Sequence, residues 1–184
     1  MILIDVLDDK GNPTGDKMTK QEIHIGGFWH KAAHVWIYNS KNEILLQLRA
    51  KDKDSFPGLL DISAAGHVDS GETPEIAAIR EIKEETDLNV KTEEIQLIDK
   101  RTVSVPIPEI GWQNNEIDYV YLYKFNGKLE DLSMPDGEVE EFMWKDSEEL
   151  LKEISDPYLS QRYVPHGEYY NFIVDAVKRE NCDK

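Results

Sequence analysis

The sequence predicts an α/β domain in which helices and strands form packed layers. Runs rich in strand-forming residues precede and follow a central amphipathic segment, and further helical periodicity lies toward the C-terminus. The length of 184 residues is enough for one well-buried core and short for two complete ones. Residues 1–184 are therefore expected to form a single domain.

The N-terminal residues 1–30 are expected to add a β-hairpin to this domain. The apolar run ILIDVLDD is followed by KGNPTG, whose Asn, Pro and Gly supply turn dihedrals, and then by a polar return. We interpret the two runs as paired strands.

Four later segments have the composition of strands. HVWIYN (34–39) and EILLQLR (43–49) are rich in strand formers and close enough in sequence to form a hairpin. DYVYLYKF (118–125) alternates in the same way, and EEFMWK (140–145) is expected to form a shorter strand.

Three segments have helical signals. The first covers residues 74–86, with Thr73 as N-cap and Pro74 at the first helical position, where a missing N–H costs nothing. The second begins at Asp146, which stands in a capping-box relation to the glutamate three residues later. The third includes EYYNFIVDAVKRE near the C-terminus.

Charge and composition narrow the function. A net charge of -16 and a pI near 4.6 argue against binding to a nucleic-acid polymer, since a negative surface repels phosphates unless cations intervene. Cys182 is the single thiol, so an intramolecular disulfide or a zinc–thiolate site is excluded. The sequence has neither a signal peptide nor a run long enough for a membrane span, and we expect a cytoplasmic protein.

The helix predicted over residues 74–86 carries an acidic face. At 100° per residue, Glu81, Glu84 and Glu85 fall within an arc of about 100°. The residues expected on the opposite, core-facing side are Ile76, Ile79 and Ile82. Pro74, Ala77 and Ala78 extend the acidic face toward the N-terminus without bulk, which predicts open space beside the carboxylates.

Such a cluster has two interpretations, a solvated surface or a metal site. Like charges three or four residues apart each destabilise a helix by roughly 0.2–0.5 kcal/mol. A hard cation such as Mg²⁺, which prefers oxygen ligands, removes that penalty. Arg80 precedes Glu84 by four residues and is placed to hold one carboxylate while the others bind metal.

Residues 66–88, GHVDSGETPEIAAIREIKEETDL, resemble the Nudix box. Gly66 and Glu72 stand at the spacing of that signature, followed by Arg80-Glu81-Ile82-Lys83-Glu84-Glu85 and the aliphatic Leu88. Asp87 departs from the pattern, because the family usually has Gly there. Asp tolerates the left-handed conformation better than most residues, so we expect a small stability cost.

The resemblance implies an α/β/α sandwich around a mixed sheet, with the box forming a loop, a helix and a loop. It also implies that a nucleoside diphosphate derivative or a related small diphosphate is hydrolysed with Mg²⁺, or with Mn²⁺ as a substitute. The family pattern makes Glu81, Glu84 and Glu85 the metal-binding and base-providing acids. Glu72 and Arg80 would brace them, the Gly66 carbonyl would face a metal, and Glu138 is the candidate for an additional acid from a later loop.

The first half of the chain is also similar to the isopentenyl diphosphate isomerases, in DDKGNPTG, EIHIGGFWHKAAHVWIYN and FPGLLDISAAGHVDSGE. Those enzymes have a proton-transferring cysteine before the Gly-His pair, where this chain has Ala65. Alanine cannot transfer a proton, which disfavours isomerisation. His24, His30 and His67 resemble the metal-binding histidines of the isomerases, although the spacing from His24 to His30 is one residue shorter than expected. Structural histidines are the alternative.

Other residues have two interpretations each. Four aromatic residues are either base-stacking or, as we favour, core residues: Phe28, Trp29, Trp112 and Tyr119. Arg49, Lys51 and Lys53 are either phosphate contacts or a solvated loop. His34 is assigned no role.

We therefore expect a Nudix hydrolase of the isomerase-like branch that acts on a small-molecule diphosphate. The alternatives are an isoprenoid diphosphate isomerase and a nucleotide-binding regulator without turnover. The sequence leaves the substrate, the number of metal ions and the formation of a homodimer open.

Overall fold

The computed structural model describes residues 2–135 and 137–182. The strands within these residues are β1 (Ile4–Leu7), β2 (Pro13–Met18), β3 (His30–Tyr38), β4 (Glu43–Arg49), β5 (Leu60–Asp61), β6 (Ala64–His67), β7 (Ile95–Ile107), β8 (Trp112–Lys124) and β9 (Val139–Asp146). The helices are α1 (Lys20–Gly26), α2 (Pro74–Thr86), α3 (Ser147–Ser155) and α4 (Tyr169–Cys182).

The sheet is mixed, as the resemblance to the Nudix box implies. β1 and β2 pair antiparallel as the expected N-terminal hairpin. The main sheet has the strand order β5-β4-β3-β8-β7, with β6 also paired to β3 and β9 also paired to β4. β3 and β8 run parallel, and the other pairings are antiparallel.

Helices cover both faces of the main sheet. Trp36 and Leu46 from the sheet pack with Tyr170 of α4 in one core cluster, to which Leu150 of α3 also belongs. A second core cluster joins the opposite face, including Val35, to α2. None of the described helices combines the length and apolar composition that crossing a bilayer requires.

The N-terminal extension contains a helix that the sequence analysis did not predict. α1 begins after Thr19, whose side chain and that of Glu22 form a capping box, and ends at Gly27 with φ 62°. Ile23 packs with Ile4 and Val6 in a small core cluster of its own. This helix is short and mostly polar, so its periodicity is weak, yet it positions a histidine described below.

α2 begins and ends where the sequence predicts. The Thr73 side chain accepts a hydrogen bond from the Ile76 backbone N–H, and Pro74 occupies the first turn. Asp87 has φ 62°, the left-handed conformation expected at a position where the family pattern has Gly.

The predicted core face of α2 is partly wrong. Ile76 is 54% exposed, whereas Ala77 and Ala78, which were expected to border open space, are fully buried with Ile82. The helix packs against the sheet through its small residues, and small side chains allow a close approach. This rotation also buries Glu85 against the sheet.

Candidate active site and metal centre

A cavity of about 680 Å³ lies where the sheet meets α1, α2 and the start of α4. Glu81 and Glu84 of α2 line one part of it, and His24, His67 and Glu116 line another. Two of the predicted acids, Glu81 and Glu84, and two of the predicted histidines, His24 and His67, therefore border one space, although they come from distant parts of the sequence. Glu85 and His30 are buried and are not among its lining residues.

Arg80 holds the acidic residues and the preceding loop in place. Its Nη1 donates to Glu81 Oε1 at 2.6 Å and to Glu84 Oε2 at 3.0 Å. Its Nη2 donates to Glu72 Oε2 at 3.0 Å and to the His67 carbonyl oxygen at 2.9 Å. One guanidinium thus connects Glu72 and the end of β6 to Glu81 and Glu84, because it can donate several hydrogen bonds at once.

The carboxyl group of Glu81 is largely buried beside Arg80. Burial raises the pKa of Glu81 to about 7, and the adjacent Arg80 guanidinium only partly opposes that rise. A Cβ added at Gly66 would lie 2.1 Å from Glu81 Oε1. Glycine at this position therefore makes room for the carboxylate against the backbone.

The other two acids have different surroundings. Glu85 is buried, and its Oε2 accepts hydrogen bonds from Gln47 Nε2 at 3.2 Å and from the Ala65 backbone N–H at 3.1 Å. The side chain of Glu84 is about half exposed, with a relative accessibility of 48%, and it faces the cavity. Of the three acids, Glu85 is held by hydrogen bonds, Glu81 has a raised pKa and Glu84 is accessible from the cavity.

Glu138 reaches the same cavity from the loop before β9. Its carboxylate pairs with Lys53, which also lines the cavity. The structure thus places Glu138 near the α2 acids, and its catalytic role remains a prediction.

The three histidines singled out in the sequence come together with a fourth side chain. His24 of α1, His30 of β3, His67 of β6 and Glu116 of β8 each offer a ligand atom within 4.8 Å of the others. His30 Nε2 lies 3.3 Å and His67 Nε2 lies 3.6 Å from Glu116 Oε1. We call these four residues the histidine cluster.

The histidine cluster fits a divalent cation. His24 Nδ1 and His30 Nε2 are buried without a hydrogen-bond partner among the described residues, a costly arrangement unless an ion binds them. The His30 Nδ1 lies 3.0 Å from the Phe28 carbonyl oxygen, which can only accept, so its Nε2 is the nitrogen with a free lone pair. Burial lowers the pKa of His24 to about 4 and that of His67 to about 3, which keeps both rings in the neutral form that binds metal.

Glu116 was missed in the sequence analysis, although a signal for it exists. On β8, Glu116 and Asp118 continue the inward-facing alternation of Val120 and Leu122, which are buried. A carboxylate at a core-facing strand position needs a partner, and that requirement could have identified the site.

The basic residues of the cavity differ in how they are engaged. Arg49 Nη1 pairs with the buried Asp61 at 2.9 Å, and Asp61 also contacts His166 Nε2 at 2.7 Å. Arg101 stacks on the Tyr169 ring at 3.6 Å, and no ion pair within 4.0 Å joins it to a described carboxylate. Lys51 is not among the residues that line the cavity, and its side chain is 83% exposed, consistent with a solvated loop.

The aromatic residues do not all belong to the core. Phe28 is exposed at the surface, and the partly buried Trp112 lines the cavity with its ring edge-on to His24 at 4.5 Å. The core interpretation is therefore wrong for these two residues. Trp29 and Tyr119 are partly buried.

A model of the NUDIX domain matches residues 28–165. The chain is 34% identical over 170 residues to Nudix hydrolase 3 of Arabidopsis thaliana, covering 92% of this chain and 20% of that protein. It thus spans about a fifth of the length of that relative. It is also 31% identical over 156 residues to an isopentenyl-diphosphate Delta-isomerase of Serratia proteamaculans, covering 83% of this chain and 79% of that enzyme.

A solved structure shares the fold along almost the entire chain. The crystal structure of a protein from Deinococcus radiodurans superposes with a TM-score of 0.64 at 20% sequence identity, covering 96% of this chain and 98% of the other. At this identity the likeness establishes the architecture alone.

Proposed function

The chain belongs to the Nudix family, and on that premise we propose that it is a Mg²⁺-dependent hydrolase of a diphosphate linkage in a nucleoside diphosphate derivative or a related small molecule. The observation that carries the proposal is the cavity in which Arg80 and Gly66 fix Glu81 beside Glu84. A solvated acidic surface would not bury one carboxylate and brace two with one guanidinium.

The three acids of α2 would have different roles, which follow from their surroundings. Glu84 and Glu85 would hold Mg²⁺, and the ion would supply charge neutralisation at the diphosphate and acidify the attacking water. Glu81 would accept the water proton at Oε2, because its Oε1 already accepts from Arg80. A pKa near 7 suits a proton acceptor at neutral pH. Mn²⁺ is expected to substitute, because its oxygen-ligand preference is similar.

The cations of the cavity would orient the substrate. Arg101 has no ion-pair partner among the described carboxylates, so its guanidinium is available for phosphate oxygens. Lys53 is paired with Glu138. When Glu138 turns toward the α2 acids to act as the additional acid, Lys53 would become available to contact the substrate phosphates.

The histidine cluster supports a second cation within the same cavity. Its three imidazoles and one carboxylate are a donor set that suits Zn²⁺ or Mn²⁺. The cluster also supports the isomerase alternative, as does the 31% identity to an isopentenyl-diphosphate Delta-isomerase. Ala65 opposes that alternative, because neither its methyl group nor Cys182, exposed near the far end of α4, supplies a proton donor beside the cluster.

The test is a substrate panel assayed with Mg²⁺ for phosphate release and for isomerised product. The panel contains nucleoside di- and triphosphates, nucleotide sugars, dinucleotides and isopentenyl diphosphate. We expect hydrolysis by the wild type and losses of at least about 100-fold in kcat for Glu84→Gln and Glu85→Gln. Glu75→Gln, on the same helix but outside the cavity lining, is the matched control and should retain activity.

Three outcomes separate the hypotheses. Equal turnover by Glu85→Gln and the wild type would exclude the proposed hydrolytic site. An isomer formed from isopentenyl diphosphate would instead favour the isomerase. Tight nucleotide binding without product would favour a regulator.

A further inference from the structure

The loop between β4 and β5 contains a residue in a backbone conformation that its side chain disfavours. Phe56 has φ 51°, in the left-handed region, where bulky side chains are rarely found. The next residue is Pro57, and proline restricts the residue before it to extended conformations. A conformation of this kind is costly and persists only where surrounding contacts impose it, which is common at functional sites.

Contacts of Arg49, the last residue of β4, fix the loop around Phe56. The Arg49 Nε and Nη2 donate to the Ser55 carbonyl oxygen at 3.1 and 2.8 Å. Its Nη1 donates to the buried Asp61 at 2.9 Å, and its backbone carbonyl oxygen accepts from the Gly58 N–H at 3.1 Å. The loop is thus fastened to the sheet on both sides of Phe56.

The Phe56 side chain is not needed by the core. The residue is partly buried, yet within the described part of the chain it belongs to none of the three core clusters and packs against none of them. It lines the cavity instead, together with Lys53 and Ser55 of the same loop. A strained aromatic residue with this placement is explained when its ring contacts a ligand.

Phe56 also differs from the tryptophan and the tyrosine that line the cavity. Trp112 has the Lys20 ammonium over its ring at 5.5 Å, and Tyr169 has the Arg101 guanidinium over its ring at 3.6 Å. Among the described residues, neither a cation nor a second aromatic ring lies over Phe56. Its ring is therefore available to a flat group of the substrate, which gains from stacking on an aromatic face.

We propose that Phe56 is a specificity-determining residue that stacks on the nucleobase of a nucleoside diphosphate derivative. The inference rests on the proposed function, because it places the diphosphate at the acids of α2 and the base at this loop. A diphosphate without an aromatic group makes no use of the ring, so nucleotides are selected from the wider class of small diphosphates.

The experiment compares a ligand that carries a base with one that lacks it. The probes are ADP and inorganic pyrophosphate, and isothermal titration calorimetry measures the affinity of the full chain for each in the presence of Mg²⁺. The parent chain carries Glu81→Gln, which removes the proposed proton acceptor so that ADP is not consumed. We expect Phe56→Leu, which keeps apolar volume but removes the ring, to weaken ADP binding by about 10-fold and to change pyrophosphate binding by less than about twofold. Phe56→Tyr keeps the ring and should keep both affinities.

Phe56→Asn is the second variant, because asparagine tolerates the left-handed conformation. It should show the same selective loss of ADP binding and fold at least as stably as the parent. Tyr158→Leu is the matched control, since it removes an aromatic ring that is 83% exposed and lies outside the cavity lining. Circular dichroism checks the folding of each variant.

Three results would overturn the inference: unchanged ADP affinity in Phe56→Leu and Phe56→Asn, equal losses for ADP and pyrophosphate, or a parent chain that binds ADP no more tightly than pyrophosphate. Hydrolysis is not measured in this comparison. A wild type that turns over none of the panel substrates would therefore disprove the proposed function and leave the binding result valid.

Discussion

At the scale of single residues, Glu81 links the candidate site to stability. Its pKa lies near 4.5 in an unfolded chain and at about 7 in the folded protein. A carboxyl group whose pKa is raised by folding contributes stability below pH 4.5 that is lost as the pH rises through 7. A shift of this size corresponds to at most about 3 kcal/mol. Wild-type protein without metal should therefore lose stability over that interval.

Glu81→Gln should not show this loss, because glutamine does not ionise. We expect its free energy of unfolding, relative to wild type, to increase by up to about 3 kcal/mol between about pH 5 and pH 8 in chelator. Urea unfolding at both pH values measures the difference. Glu93→Gln, which removes an exposed carboxylate, should show a flat difference. A flat difference for Glu81→Gln as well would contradict the proposed burial of an ionisable base.

Gly66 provides a second test at residue scale. Its φ is not in the left-handed region, so alanine is excluded by the Glu81 carboxylate at 2.1 Å rather than by backbone strain. Gly66→Ala should displace Glu81 and lower kcat by about 100-fold while the protein remains folded. Gly127→Ala is the control, because its Cβ would meet the Phe125 ring away from the cavity. Comparable activity losses in both variants would indicate a general packing effect.

At the scale of elements, α2 tests the role of the left-handed residue at its end. The positive φ of Asp87 is destabilising for a residue other than glycine, and the contact of its side chain with Lys83 offsets part of that cost. Asp87→Gly should raise the free energy of unfolding by about 0.5 kcal/mol with unchanged kcat/KM, whereas Asp87→Val should lower stability by more than about 1 kcal/mol. Thermal unfolding and the hydrolysis assay measure both. Reduced activity in Asp87→Gly would show that Asp at this position has a chemical role.

An element could be predicted when its sequence signals lie within a few neighbouring residues, and not when it depends on tertiary packing. The bounds of α2 followed from Thr73 and Pro74, whose preferences act within one turn. α1 was missed because its seven residues carry little periodicity and its stability depends on Ile23 packing with the hairpin. Ile76 was placed on the wrong side because the sheet, and not the helix sequence, decides which arc of α2 is buried.

At the scale of the whole molecule, the cavity depends on contacts that no short stretch of sequence encodes. The resemblance in residues 66–88 anticipated the acids of α2, and the comparison with isomerases anticipated the three histidines. Glu116 lies about fifty residues beyond the last of them and reaches the cluster because β8 pairs in parallel with β3. Strand order is a global property, so this ligand required the fold.

The histidine cluster connects the N-terminal extension to the main sheet through His24 of α1 and Glu116 of β8. A bound cation should therefore stabilise the whole chain and, above all, hold α1 in place. At a free Zn²⁺ concentration of about 100 times its dissociation constant, we expect about 2.7 kcal/mol of added stability, reversed by chelator. Amide hydrogen exchange in residues 20–26 should slow on binding more than exchange in α3, which contributes no residue to the cavity lining. Glu116→Gln should abolish both effects, and Asp99→Asn, which removes a partly buried carboxylate of β7 outside the cavity lining, should preserve them. Stabilisation without protection of α1 would place the ion elsewhere, at the acids of α2 or on the surface.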